Sequence, residues 1–329
     1  MAVDSPRVSV VMPVRNALRF LRPAMESVLR QSFESFELIV VDDGSTDGTG
    51  DALAGYRDPR VRVLRNEGRH GVVQALTVGM GAARGEYVAR MDGDDLSHPK
   101  RLGTQVAFLD RERAIVLVGS CANVIDEAGV VVGVMRVPTS SEEIHRLLPK
   151  RNTFIHPSVL FRRQAVLEVG GYQAVRPGAS MAQDYHLWLR LEERYRLANL
   201  AEPLLDYRVH GGQLSTQNLI RQLECADLAR RLAATRRRLQ RIPRTSEREL
   251  RWLERLRGEP GSFAADCLHY YDHFVAIGKE DLVRRLAWRA VLASPLSRQA
   301  WTRAGREARR RMLEVSALQV LREWLAGRG

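Results

Sequence analysis

The apolar positions fall in short blocks separated by polar turns. Val8-Ser-Val-Val-Met-Pro-Val14 is nearly continuous and β-branched, which predicts a buried strand. From about 17 to 31, Phe20, Leu21, Met25, Val28 and Leu29 recur at helical spacing. Residues 36–41 and 61–64 read as further strands, and 49–56 and 72–83 as helices, the second ended by Gly85. Residues 86–91 make a fourth strand. Strand alternating with helix in this way predicts an α/β fold, a Rossmann-like mostly parallel sheet flanked by crossover helices. Such sheets bind ligands beyond the C-terminal ends of their strands. Three polar clusters fall there: Pro13–Asn16, Asp42–Asp47 and Asp92–Asp95.

The pattern then becomes less regular. A helix is expected from His98-Pro99 to about 110, and strands at 115–118 and 130–135. Gln183–Leu191 reads as a helix opening with an acid, and Tyr207–Ser215 closes the compact part. From 216 onward everything is helical, with a hairpin at 263–277 and 281–293 and a last helix near 301–325. Two domains follow: residues 1–215 carrying the sheet, and an all-helical module at 216–329.

Charge separates the same two parts. The 329 residues carry 51 Lys and Arg against 39 Asp and Glu, a net +12. Residues 1–214 are nearly balanced, with 27 basic and 26 acidic side chains. The excess lies in the helical module, which suits an acidic partner such as anionic headgroups. Three scattered cysteines and no C-x-x-C pair exclude a cysteine-built zinc site and fit a reducing cytoplasm. No apolar run approaches the 18 residues that a membrane-spanning helix needs.

Several clusters could carry chemistry. Asp92-Gly93-Asp94 ends the fourth strand, and its two carboxylates can approach one hard cation, Mg²⁺ or Mn²⁺, whose sphere phosphate oxygens complete. A solvated acidic turn is the plain alternative. Asp43–Gly48 mimics half of a calcium loop, but its twelfth position is Ala54 and a strand precedes it, so that reading fails. It is either a ligand loop or a turn in which Ser45 or Thr46 caps the next helix. Asp184 is a helix-capping acid or a general base. His210 is a metal ligand or a hydrogen-bonding imidazole. His269 and His273, four apart, sit among core-like aromatics and read as packing.

Taken together and in this order, these stretches resemble the family 2 glycosyltransferases of the GT-A fold. The likeness rests on Val8–Asn16, Phe36–Asp47, Asn66–Gly71, Gly85–Asp95, Gln183-Asp-Tyr185 and Tyr207-Arg-Val-His210, and covers roughly 6–215. It implies an inverting transfer of sugar from a nucleotide diphosphate, a UDP-sugar first of all, to a glycan or lipid-linked hydroxyl in bacterial surface polysaccharide or glycoconjugate synthesis. It also implies residue roles. Asp43 holds the nucleotide base, Pro13 and Arg15 frame the nucleoside, and Arg69 contacts base or phosphate. Asp92 and Gly93 line the donor site. Asp92, Asp94 and His210 hold Mn²⁺ or Mg²⁺, and Asp184 is the catalytic base. The chain departs from the family where Arg15 replaces an aromatic and Gln183 a glutamate.

Two other classes compete. A sugar nucleotidyltransferase would need a glycine-rich first loop for a triphosphate, and Pro13-Val-Arg-Asn-Ala17 has no glycine. A non-catalytic basic binding protein would use the helical module, yet each of its tryptophans sits among leucines or alanines at core-like spacing, which argues against nucleic acid. Arg309–Arg311 followed by an apolar stripe to Leu325 suits a peripheral contact with the inner face of the membrane, or packing on a second subunit.

Overall fold

The computed structural model describes residues 6–66, 71–176, 178–179, 181–211 and 219–239. The first half follows the expected alternation: β1 (Val8–Val14), α1 (Leu18–Leu29), β2 (Phe36–Asp42), α2 (Thr49–Ala54), β3 (Val61–Arg65), α3 (Val72–Ala82) and β4 (Tyr87–Arg90). Strands β3-β2-β1-β4 lie side by side and parallel. In β2, Leu38 and Val40 enter the core on one face of the sheet, and Ile39 and Val41 the core on the other. That is why the strand is apolar without alternation. Burying each of these side chains contributes about 1.5–3 kcal/mol, enough to outweigh the roughly 1–2 kcal/mol cost of fixing its backbone. Gly79 lets α3 press onto β1, since a Cβ there would stand 2.4 Å from Val11 Cγ1.

Past β4 the sheet becomes mixed. The elements are β5 (Leu96–Ser97), α4 (Arg101–Arg111), β6 (Ile115–Ile125), β7 (Val131–Met135), α5 (Ser141–Leu147), β8 (Leu160–Arg162), α6 (Arg163–Glu168), α7 (Gln183–Glu192) and β9 (Arg196–Arg208). β8 runs antiparallel to both β4 and β6, β9 runs parallel to β6, and β5 and β7 are antiparallel edges. The expected parallel sheet is thus the first four strands, extended by a mixed second half. β9 was not foreseen, because Glu202 and Pro203 interrupt its apolar pattern. The structure places Pro203 opposite Cys121 at a register shift, where a missing N–H is tolerated.

Helix α8 (Leu219–Leu239) opens the stretch expected to form a separate module. It belongs to the first compact unit, Met1–Leu253, and adds Leu223, Leu228, Ala229 and Leu232 to the core that holds Trp188 of α7. Arg236 pairs with Glu193 at 2.9 Å across the same contact. The expected helices at 263–277, 281–293 and 301–325, with His269, His273 and Arg309–Arg311, lie outside the described residues. Among the described residues no helix is long and apolar enough to cross a membrane.

Candidate active site

The C-terminal ends of β1, β2 and β4 open on one edge, as the topology requires. β1 pairs with β4 only through Val11, so Pro13 stands past the last rung on that side and loses no ladder bond there. Into this edge turns the loop 92–95. Asp92, Asp94 and Asp95 each offer an oxygen within 4.8 Å of the others. Gly93 lies so close to β1 that a Cβ would meet Val14 Cγ1 at 2.8 Å. Arg90, the buried last residue of β4, forms an ion pair with Asp92. Burial raises the Asp92 carboxyl above its ordinary value, Arg90 opposes this, and Asp94 adds to it. Asp95 is fully buried; burial, then Asp94 and Asp92, hold its carboxyl well above the usual range. Among the described residues its Oδ2 has no hydrogen-bond partner. Burial and mutual repulsion therefore both disfavour the charged forms of Asp92 and Asp95.

The end of β9 clamps this loop. The Arg208 main-chain N–H donates to Asp95 Oδ1 at 2.8 Å, and its Nε donates to the Asp94 carbonyl at 2.8 Å. Nη1 reaches the carbonyls of Asp126 and Glu127 in the β6–β7 turn, at 2.9 and 3.2 Å. The guanidinium lies 4.7 Å over the Phe20 ring, which in turn packs 5.0 Å from His210. His210 Nε2 stands 2.9 Å from Asp94 Oδ2. Sequence reasoning paired His210 with Asp94 but passed over Arg90, Asp95 and Arg208. Asp95 was visible as the fourth residue of the acidic run. The two arginines had no signal beyond lying beside motif residues.

At the end of β2, Asp43 is buried and accepts from Gly71 N–H at 2.8 Å and Asn66 Nδ2 at 3.3 Å. Arg15 is exposed just past β1, and Arg69 lies outside the described residues. The loop after β2 clasps the start of α1. Ser45 Oγ accepts from Asn16 N–H, Thr49 Oγ1 from Ala17 N–H, and Asp47 Oδ2 from Leu18 N–H, at 2.9–3.1 Å. Neither Ser45 nor Thr46 caps α2, as the turn-and-cap reading expected. Its N-cap is Gly48 at φ 90°, without a side-chain cap, and the hydroxyls serve α1 instead.

Asp184 is the second residue of α7. The helix N-cap is Ala182, at φ 54°, and it makes no side-chain cap bond, so Asp184 is not the capping residue. Its Oδ2 accepts from Asn152 Nδ2 at 2.9 Å. Burial raises its carboxyl, opposed by the Tyr185 main-chain N–H and by Asn152. Asp184 and Asp92 interact electrostatically, so the structure brings the base candidate and the acidic loop, 92 positions apart in sequence, to one site. Behind them His156 Nε2 and the Tyr172 hydroxyl are 2.9 Å apart, and His156 packs edge-on to Trp188. Burial and then Arg90 push the His156 imidazole well below its ordinary value, which keeps it neutral.

A mixed sheet with flanking helices, its parallel half ending in the acidic loop, is a GT-A-like fold. The chain belongs to glycosyl transferase family 2, whose pattern its residues 9–170 match. It is 39% identical over 209 residues to EpsE of Bacillus subtilis, covering 62% of this chain and 74% of that one. It is 30% identical over 230 residues to the O-antigen biosynthesis glycosyltransferase WbnJ of Escherichia coli, covering 68% and 87%. The fold is shared with Staphylococcus aureus TarS 1-349 in complex with UDP-GlcNAc (TM-score 0.53, 15% identity, 92% and 79% covered). It is also shared with the mannosyltransferase PcManGT of Pyrobaculum calidifontis in complex with GDP-Man and Mn²⁺ (TM-score 0.54, 20% identity, 93% and 85% covered). The protein is a family 2 glycosyltransferase with relatives in polysaccharide biosynthesis.

Proposed function

We propose that this enzyme transfers a sugar, with inversion, from a nucleotide-diphosphate donor to a hydroxyl of a glycan or lipid-linked acceptor. The setting is bacterial surface polysaccharide or glycoconjugate synthesis, in the cytoplasm at the inner face of the membrane. The observation that carries this reading is the crowding of the Asp92, Asp94 and Asp95 carboxylates at the C-terminal end of β4. It supports a site for a diphosphate leaving group there, with Asp184 as the proton acceptor.

The acidic loop fits a divalent cation. Its donors are all oxygen, three carboxylates crowd together, and a buried oxygen of Asp95 lacks a partner among the described residues. Hard Mg²⁺ or Mn²⁺ suits such donors. Asp92, Asp94 and His210 would hold it. When bound, it offsets the charge that grows on the departing diphosphate.

The chain's own residues do the rest. Asp43, Pro13, Arg15 and Arg69 hold the nucleoside, and Gly93 lets the acidic loop lie close to β1. Asp184 takes the acceptor hydroxyl proton as that oxygen bonds to the anomeric carbon. The bond from that carbon to the phosphate oxygen breaks, and its electron pair leaves with the nucleotide. General-base help of this kind is worth roughly 10²–10⁴-fold. UDP is the first candidate for the nucleotide.

A thermal-shift panel of UDP, GDP, CMP and dTDP, each with and without Mn²⁺, tests the reading. Nucleotide at 100 times its dissociation constant adds about 2.7 kcal/mol. A Mn²⁺-dependent shift with one nucleotide supports the donor site and identifies the donor class. Absence of any shift would remove the proposed site.

A further inference from the structure

We propose that Asn152 is a positioning residue for the transfer reaction: its side-chain amide locks the rotation of the Asp184 carboxylate and so fixes which oxygen meets the acceptor hydroxyl. The inference rests on Asp184 being the base. A carboxylate turns about its last bond with only a weak preference; the Tyr185 main-chain N–H bonds this one from within the helix, and a contact from outside the helix is needed to complete the hold. Asn152 supplies one. Its Nδ2 donates to Asp184 Oδ2 at 2.9 Å, while its Oδ1 accepts from the Phe154 main-chain N–H at 3.2 Å. The second bond orients the amide, so that the donor end and not the acceptor end faces Asp184.

The segment that carries Asn152 is itself fixed. Asn199 of β9 donates to the carbonyls of Thr153 and Pro138 at 3.0 and 2.8 Å. The Phe154 ring packs 5.8 Å from Trp188, which lies one helical turn beyond Asp184 and is fully buried. The amide and the carboxylate are therefore held in register by a buried aromatic pair beside them. Asn152 itself is exposed, so an acceptor can approach and the fold does not depend on its side chain. The charged and titratable groups facing Asp184 are Arg90 at the end of β4, Asp92 in the acidic loop and Tyr172. None of these donates a hydrogen bond to the oxygen that Asn152 holds.

Two substitutions separate positioning from bulk. Asn152→Asp keeps the shape and the acceptor for Phe154 but cannot donate to Asp184 when ionised. Asn152→Ala removes both bonds. The test uses the full chain with UDP-GlcNAc and GDP-mannose, and water as the nucleophile, reading nucleotide release. A charge-assisted hydrogen bond lost in this way lowers kcat about 10–100-fold. The donor KM and the melting temperature stay as in the wild type. The acidic limb of the kcat profile moves to higher pH in both variants, because the ionised carboxylate has lost a donor.

Infrared difference spectra, wild type minus Asp184→Asn, read the same carboxyl without turnover. Its protonated band should appear at higher pH in each Asn152 background. An unchanged titration of that band in both variants overturns the proposal. So does an unchanged kcat in both, wherever Asp184→Asn is itself impaired. Full turnover in Asp184→Asn would remove the base reading, and with it this one, while the infrared titration would still report the contact.

Discussion

The main-chain N–H of Arg208 donates to Oδ1 of Asp95 at 2.8 Å, joining positions 113 apart in sequence. The same residue holds the Asp94, Asp126 and Glu127 carbonyls through its side chain. One arginine thereby ties the acidic loop to the β6–β7 turn. Arg208→Ala leaves those carbonyls without their donor and should lower stability by about 2–4 kcal/mol. Urea unfolding measures it. Any Mn²⁺-dependent nucleotide shift should shrink with it, and a variant with wild-type midpoint and shift would show that the clamp is idle.

Asp94 and His210 face each other at 2.9 Å. Asp94→Ala should abolish the part of the nucleotide thermal shift that depends on Mn²⁺, and His210→Ala should weaken it. Comparing each variant with and without the ion isolates that part. An equal shift in both conditions in the wild type would remove the cation from the site.

For Asp184→Asn, turnover should fall by roughly 10²–10⁴-fold while nucleotide binding persists. Nucleotide release and the thermal shift, measured on one preparation, separate the two effects. Loss of binding instead would make Asp184 a donor contact.

Gly93→Ala drives a methyl group into Val14 Cγ1, 2.8 Å away. Overpacking of this kind costs about 1–3 kcal/mol. Val14→Ala in the same chain should recover much of it, a coupling that a double-mutant cycle reads directly. Strict additivity of the two changes would mean that the loop moves and the valine does not.

Glu37 gives stability a defined acid limit. Burial would raise its carboxyl, but hydrogen bonds from Arg62, Arg84 and Ser9 hold it below the ordinary 4.5. A folded-state value below the unfolded one adds stability above pH 4.5, and that contribution is lost as pH falls through the folded value. Glu37→Gln should be less stable than wild type at pH 7, with the difference closing in strong acid. A constant difference across pH would exclude this ionisation as its source.

Much of the fold was readable in the chain. β1 to β4 announce themselves because strands covered on both faces must be apolar throughout, and the polar residues that follow them can only lie at the open edge. The acidic run stands out for the same local reason, whereas the roles of Asp184 and His210 came from the family resemblance. Local pattern also suggested a boundary at 216, where apolar spacing turns wholly helical. The apolar face of α8 could not reveal that it closes over Trp188, because an amphipathic helix does not specify which surface covers it.

What the chain alone determined was therefore the set of elements whose periodicity matches their burial, and the residue types gathered at strand ends. Tertiary structure alone decided the rest. Pro203 interrupts a strand that only its partner β6 completes. Ser45 and Thr49 serve a helix some thirty residues upstream rather than the one beside them. Arg208 and Asn152 reach the site through hydrogen bonds to residues 114 and 32 positions away. Such contacts leave no period in the sequence, because each depends on where a distant backbone comes to rest.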